Sequence, residues 1–394
     1  MVTLISPGAP SRKGIALPIA LAAIIAVGAL IAGVVFAATQ EYRLGRNSMS
    51  AQTAQQAAEA GLNSVVASWT PERTKALRVG FRDSLKDTVI NGARVKRQWT
   101  RVSPTMFWVT ATAQGGDSSL QGRALKRLNT LVRIDIPDMR IQGALTVRGN
   151  VTATGSGIIS GNDMTPPGWD DCIGAGLPPS AGLVVGDSAT NISTSGTCAG
   201  LACVTGTPKV VDSTIYADSN TYKNFGGFNY DSLTKLATWT FTAPPLPGSG
   251  KPAPAWSGST CTTTSNLNWG DTSRVDVNTQ CDSYFPIIWL KGTTNSWNLA
   301  NEGGQGIILV DGNLTVSGHF IWTGLIIVQG TIGYSGNQSP KLTGAVLAMN
   351  RNNGTHSVAG NVVIQYSRCA VQAVTARLST ARQTKYRAWA DLAM

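Results

Sequence analysis

The sequence predicts an α+β protein that is mostly β. It should have a long N-terminal transmembrane helix, a small antiparallel sheet, and a C-terminal parallel β-helix (solenoid) carrying a disulfide-stapled insertion. Three observations predict this. Residues 15–39 contain no charged side chain. Glycine recurs every six residues at Gly306, Gly312, Gly318, Gly324, Gly330 and Gly336, and earlier at Gly143, Gly149, Gly155 and Gly161. All the cysteines lie beyond residue 171, five of them in a long Gly/Ser/Thr-rich stretch between the two glycine series and Cys369 after the second series.

Length and charge bound the function classes. A chain of 394 residues is too long for one small core and points to two or three folding units. With 43 Gly and only Glu41, Glu59, Glu72 and Glu302 as glutamates, strands and turns are favoured over helices beyond the N-terminal third. The formal charge of +11 is local: +2 in residues 1–70, +9 in 71–133 and zero in 134–394. A basic patch attracts DNA, anionic lipid or acidic polymer. The commoner case is a solvated face of a small sheet.

Residues 15–39 are long enough, at about 1.5 Å per residue, to cross a hydrocarbon core of about 30 Å. Arg12 and Lys13 sit just before this run, so the positive-inside tendency sends everything after Thr39 outward. A secretory signal is the competing reading, but the apolar run exceeds a signal-peptide core and the sequence after it still reads as helix. No proline interrupts Gln40 to Trp69, and the segment is rich in alanine. One helix over 15–70 is therefore expected, ending near Pro71. Its outer half places Ala54, Ala57, Ala58, Leu62, Val65 and Val66 at helical spacing for a domain to pack against.

A short basic leader, residues 1–14 ending in Gly14, followed by this helix, resembles the signal that a prepilin peptidase cuts after glycine. The segment from Gly14-Ile15 onward, with the later Gln56-Ala57-Ala58-Glu59 stretch, is similar in particular to the PilX-type minor pilins of type IV pili. The resemblance spans about fifty-five residues. It implies a mature chain beginning at Ile15, with other pilin-like subunits, the membrane and the prepilin peptidase as partners. It also implies residence in the inner membrane before assembly, then in a pilus or at the extracellular surface. Major pilins carry a glutamate at the fifth mature position, where this chain has Ile19. A carboxylate in lipid is expensive without a partner, so its absence fits a minor or tip-located subunit.

Residues 71–136 are expected to form a small pilin-like β domain. Met106 to Ala113 alternates with a period of two, and Leu125, Leu128, Leu131, Ile134 and Ile136 and the segment Ala93 to Arg101 supply further strands. Trp99, Phe107 and Trp108 read as core or sheet-face residues.

Residues 137–163 and 301–369 read as two solenoid segments. In the later hexads, apolar residues fall two and four places after each glycine: Ile308/Val310, Leu314/Val316, Phe320/Trp322, Ile326/Val328 and Ile332/Tyr334. The expectation is one short strand per hexad, a glycine at each corner and about three hexads per turn of the stack. A Val-x-Gly-Asn pattern recurs at Val147, Val310 and Val358. The positions before glycine hold Asp311, Ser317, Thr323 and Gln329. The left-handed hexapeptide helix has aliphatic residues there, so a right-handed or irregular solenoid is indicated. The tail, 370–394, is expected to cap the last turn.

The insertion, 164–300, holds Pro244-Pro245 and five of the cysteines Cys172, Cys198, Cys203, Cys261, Cys281 and Cys369. Their spacing matches no CxxC site, and with His319 and His356 the only histidines a zinc cluster lacks its usual ligands. Outside the cytoplasm they read as disulfides, with fifteen possible pairings; proximity favours Cys261 with Cys281. Long loops are often functional, which makes Trp169, Trp239, Trp256, Trp269 and Trp297 the candidate contacts for a surface ligand.

No catalytic, cofactor or metal set emerges. Between 306 and 336 the sole acid is Asp311 and there is no Lys or Arg, and Asp170 and Asp171 would point to opposite faces of a strand. The sequence therefore reads as a structural subunit for pilus assembly or surface adhesion. The alternatives are a membrane-anchored surface binding module, for DNA or adhesion, and a β-helix polysaccharide-active enzyme.

Overall fold

The structure is a computed structural model that describes residues 16–70, 73, 78–103, 105–115, 124–135, 139, 141–169, 178–186, 192–246, 252–271, 281–300, 303–336, 340–350 and 353–384. It has one long apolar N-terminal helix and is otherwise mostly β, with a small antiparallel sheet and two parallel sheets. The chain divides into two compact units, residues before 135 with the segment after 380, and the stretch between.

In the first unit, helix α1 (Ala16–Ala67) runs 52 residues, about 78 Å at the usual rise. Its N-terminal part is exposed throughout, and by length and composition it is long and apolar enough to cross a membrane. Ala54, Ala57, Ala58, Leu62 and Val65 are buried against the sheet. That sheet is formed by β1 (Arg82–Ile90), β2 (Ala93–Ser103), β3 (Met106–Gly115) and β4 (Ala124–Asp135), each antiparallel to the next. Alternation places Val95, Trp99, Phe107, Val109, Ala111, Leu128 and Val132 in one core with the helix. Gly61 sets the close approach: a Cβ there would lie 2.7 Å from Val95 Cγ1 and 3.3 Å from Ala111 Cβ.

The second unit begins with β5 (Gly143–Val147), β6 (Val151–Thr154) and β7 (Ile158–Ser160), then β8 (Ala181–Val185), β9 (Ile192–Ser195), β10 (Val204–Thr205) and β11 (Val210–Asp212). After residues 213–238 come β12 (Trp239–Phe241), β13 (Ile287–Leu290), β14 (Ser296–Ala300), β15 (Gly303–Val310), β16 (Asn313–Ser317), β17 (Ile321–Val328), β18 (Ile332–Tyr334), β19 (Lys341–Ala348), β20 (His356–Ala359) and β21 (Val363–Tyr366). The larger parallel sheet runs β10-β7-β21-β19-β17-β15-β13-β12, with β5, β8 and β11 branching from β19. The smaller runs β14-β16-β18-β20-β6-β9.

The hexads build strands differently from the sequence expectation of one strand each. Two hexads fuse into one eight-residue strand that bends at its central glycine, and the third supplies a strand of the other sheet. Gly306, Gly324 and Gly344 stand in register across β15, β17 and β19. Their φ values are 120°, 138° and 148°, a region open only to glycine. A Cβ at Gly324 would collide with the Gly306 carbonyl oxygen, and one at Gly344 with that of Gly324. The ten apolar positions expected to face inward, from Ile308 to Tyr334, are all at most 1% exposed.

The stacking order is not the chain order. Strand β19 has two neighbours on one side: β21 beside its first half and β5 beside its second. Strand β20 likewise pairs with β6, and β21 with β7. The first strands of the unit therefore lie against the last, and β8 to β11 continue beyond them. His356 stitches this seam. Its Nδ1 accepts from the Ile332 N–H at 3.2 Å and its Nε2 faces the Arg148 carbonyl at 3.0 Å. Burial lowers its pKa to about 4, so the ring is neutral with the proton on Nε2.

The described residues of 164–300, expected as an insertion, contribute strands to both parallel sheets. They supply β8 to β11 at one end of the stack and β12 to β14 at the other, joined by a strap, residues 213–238, that travels back along it. The strap buries Tyr216, Tyr222, Phe225 and Leu233 in the main core and includes the short helix α2 (Tyr230–Lys235). The polar residues before the corner glycines hold it: Arg148 Nε donates to the Ala217 carbonyl at 2.8 Å, and Gln329 Nε2 to that of Tyr222 at 3.2 Å. Asp311 accepts from Tyr230 Oη (3.1 Å), Trp289 Nε1 (2.9 Å) and the Gly292 N–H (3.0 Å).

The tail also differs from the expected cap. Helix α3 (Arg368–Ala376) packs on β17 and β19, along the side of the sheet. Strand β22 (Thr380–Gln383) then pairs with β4 as the fifth strand of the antiparallel sheet.

Candidate functional site

The Gln56 to Glu59 stretch divides between two faces of α1. Ala57 and Ala58 are fully buried under the sheet. Gln56 is exposed, and Glu59 accepts from Gln55 Nε2 one turn earlier at 3.3 Å. The alanines and Gly61 are thus the part of the motif that lets backbone approach backbone. Sequence reading missed Gly61, although it continues the 54, 57, 58 spacing. The processing pair Gly14 and Ile15 lies outside the described residues, as do Cys172, Asp170 and Asp171.

Part of the local basic charge serves the end of the helix. Helix α1 has no basic residue in its last turn, where exposed carbonyls favour cations. Arg73 reaches back to the Val65 carbonyl (3.5 Å) and Ser68 Oγ (3.2 Å). Its guanidinium also lies 5.3 Å from the Trp99 ring centre. Partial burial, then the nearby Arg97, lowers the Arg73 pKa. Arg97 donates to Ser64 Oγ at 3.1 Å and the Lys86 carbonyl at 3.0 Å. Arg82, Arg94 and Lys96 remain exposed.

The candidate tryptophans do not form a surface. Trp169, Trp269 and Trp297 are at most 2% exposed, and half-buried Trp239 donates to Tyr284 Oη at 3.2 Å. Only Trp256 of the five is exposed, at 49%. The proximity pairing is found: Cys261 is bonded to Cys281, and Cys198 to Cys203. Cys369 is also disulfide-bonded. Asn268 and Gln305 organise the Cys281 turn, Asn268 Nδ2 through the Ala255 and Thr262 carbonyls and Gln305 Nε2 through the Asp282 and Tyr284 carbonyls.

Asp311 is committed by three hydrogen bonds, one from Tyr230 of the strap and two from Trp289 and Gly292. No group of three His, Cys, Asp or Glu side chains suited to a metal occurs among the described residues.

The extended surface that sequence reading missed is the outward face of the smaller parallel sheet. Parallel register brings Asn298, Thr315, Gly333, Ser357, Thr152 and Ser193 into one column across all six strands. Two residues on, Ala300, Ser317, Ala359, Thr154 and Ser195 occupy the matching positions of a second column. Asn298, Thr315 and Ser193 are exposed and the remainder of the first column half-exposed. The large side chains alternate to the other side, where Trp297, Leu299, Leu314, Val316, Ile332, Tyr334 and Val358 are buried. None of the six strands contains Asp, Glu, Lys or Arg. The signal was present as small polar residues between the apolar ones, but the column exists only once distant strands are stacked. No family model, curated protein or solved structure matches the chain.

Proposed function

We propose that this protein is a minor pilin-like subunit of a type IV pilus or related secretion filament, contributing to assembly or surface adhesion. The observation that carries the reading is the division of labour within α1. Its first part is apolar, uncharged and exposed along its whole circumference, and so suited to lipid or to neighbouring helices. Its second part is pinned by Ala54, Ala57, Ala58, Gly61, Leu62 and Val65 to an antiparallel sheet. Ile19 places no carboxylate in the apolar part, in keeping with a low-copy position. The two parallel sheets are proposed to be faces of one parallel β-helix, displayed on the extracytoplasmic side. The alternation of the chain between the two sheets and the Gly306-Gly324-Gly344 column support that winding.

Mass spectrometry of the native N-terminus tests the filament reading. Prepilin processing gives a chain beginning at Ile15, N-methylated there. An intact leader would leave a membrane-anchored surface module and remove the filament role.

A further inference from the structure

We propose that the outward face of the smaller parallel sheet is a binding surface for a neutral, insoluble polysaccharide. This deepens the adhesive part of the function proposed above and rests on it, but is read out separately.

The face has no ionic side chain in any of its six strands, although the chain carries 32 Lys and Arg and 21 Asp and Glu. Soluble surfaces ordinarily intersperse both signs of charge, so a neutral plane of this extent selects against charged partners. DNA, anionic lipid and acidic glycans would find no counter-charge on it. Its outward side chains are Ser, Thr, Asn, Gly and Ala, which bury little apolar area, so a protein partner would gain little of the hydrophobic term that sustains stable interfaces. What the plane does offer is a rigid array of hydroxyl and amide groups. They repeat at the strand spacing of about 4.8 Å in one direction and at every second residue in the other. Gly333 leaves a shallow notch in the central column: the point where its Cβ would sit is 3.4 Å from Ser357 Oγ and 3.9 Å from Thr315 Oγ1. Hydroxyls can donate and accept, and so can the hydroxyls along the edges of an uncharged sugar ribbon. A flat neutral glycan is the occupant that matches the plane in charge, shape and hydrogen-bonding type.

The test is a pull-down of the purified full chain in detergent with insoluble cellulose, chitin and β-1,3-glucan, at low and at high salt. The expected result is retention on at least one of these, changing less than two-fold with salt. Retention should fall at least ten-fold in Thr315→Lys and Thr152→Lys, and not in Ser84→Lys on the antiparallel sheet. Should a lysine variant fail to fold, Thr315→Val keeps the shape without the hydroxyl and should weaken retention several-fold. Absence of retention on all three polymers would overturn the proposal. So would retention only on an anionic polymer such as polygalacturonate, lost with salt, or self-association abolished by the same lysine variants. Each of these outcomes is independent of whether the leader is cleaved at Gly14.

Discussion

The two units solve strand pairing in opposite ways. In the antiparallel sheet, β1 to β4 each pair with the next strand in the chain, and only β22 comes from far away. In the parallel unit Gly303 stands beside Ile321 and Ile321 beside Lys341, while at the seam Leu145 stands beside Val346. The first unit can recover its sheet from local turns. The second must close long loops before its pairing is rewarded. Its long-range order consequently depends on a few positions, first the glycine column, where a Cβ would meet backbone, and then the polar clasps of the strap.

The largest contrast should come from Gly324→Val. It places a branched side chain at φ 138° against the Gly306 carbonyl, a backbone conflict of the kind that removes more than about 4 kcal/mol. Hydrogen exchange should show protection lost across β15 to β21 and retained in β2 and β3. Loss in both units together would mean that they fold as one. The control is Gly45→Ala in α1, where nothing lies within 4 Å; helix propensity makes it neutral or stabilising by up to about 1 kcal/mol.

A smaller effect is expected at the strap. Asp311→Ala leaves Tyr230 Oη, Trp289 Nε1 and the Gly292 N–H without their acceptor, at about 1–3 kcal/mol for a partly buried group left unsatisfied. Limited proteolysis should cut within 213–238 sooner than in the wild type, with the antiparallel unit unaffected. An unchanged cleavage rate would show that Arg148, Gln329 and the buried aromatic side chains hold the strap without Asp311.

The last effect is conditional on pH and absent at neutrality. His356 has a folded pKa of about 4 against an ordinary value near 6.5, so between these values the unfolded chain binds the extra proton. Stability is therefore complete above about pH 6.5 and declines as pH falls through about 4. Protonation would turn Nδ1 from acceptor to donor against the Ile332 N–H. Urea midpoints measured from pH 7 to pH 4 should show this slope in the wild type and lose it in His356→Gln. A slope that survives the substitution would assign it to carboxylates instead.

Elements with a short internal period were legible in the sequence. The lipid-length apolar run, the alanine spacing and the alternation of Met106 to Ala113 each describe a segment that meets its neighbours locally. The interior positions of the hexads were legible for the same reason. The fused strands were not, because a glycine at the centre of a bent strand looks the same as a glycine at a turn. Nor were Trp169, Trp269 and Trp297 separable from surface tryptophans, since composition does not say that Trp297 takes the inward side of β14, that Trp169 packs edge-on against Phe285 or that Trp269 packs against Trp322. The neutral face escaped because Thr152 and Thr315 are neighbours on it only through intervening strands from elsewhere in the chain.

By itself, then, the sequence determined the long helix, the alternating strand over Met106 to Ala113 and which hexad positions are apolar, because these follow from side-chain period against a fixed backbone geometry; the strands between Ala181 and Leu290 and the strand Thr380–Gln383 carry no such period and were not determined by it. Only the tertiary structure decided which strand lies beside which. Every parallel edge presents the same row of N–H and C=O groups, so local pattern cannot distinguish β5 beside β19 from β5 beside β15. That choice was made by the register of the glycine column, where Gly344 stands beside Gly324 but off the six-residue series, by the return path of the strap and by the ring of His356 at the seam.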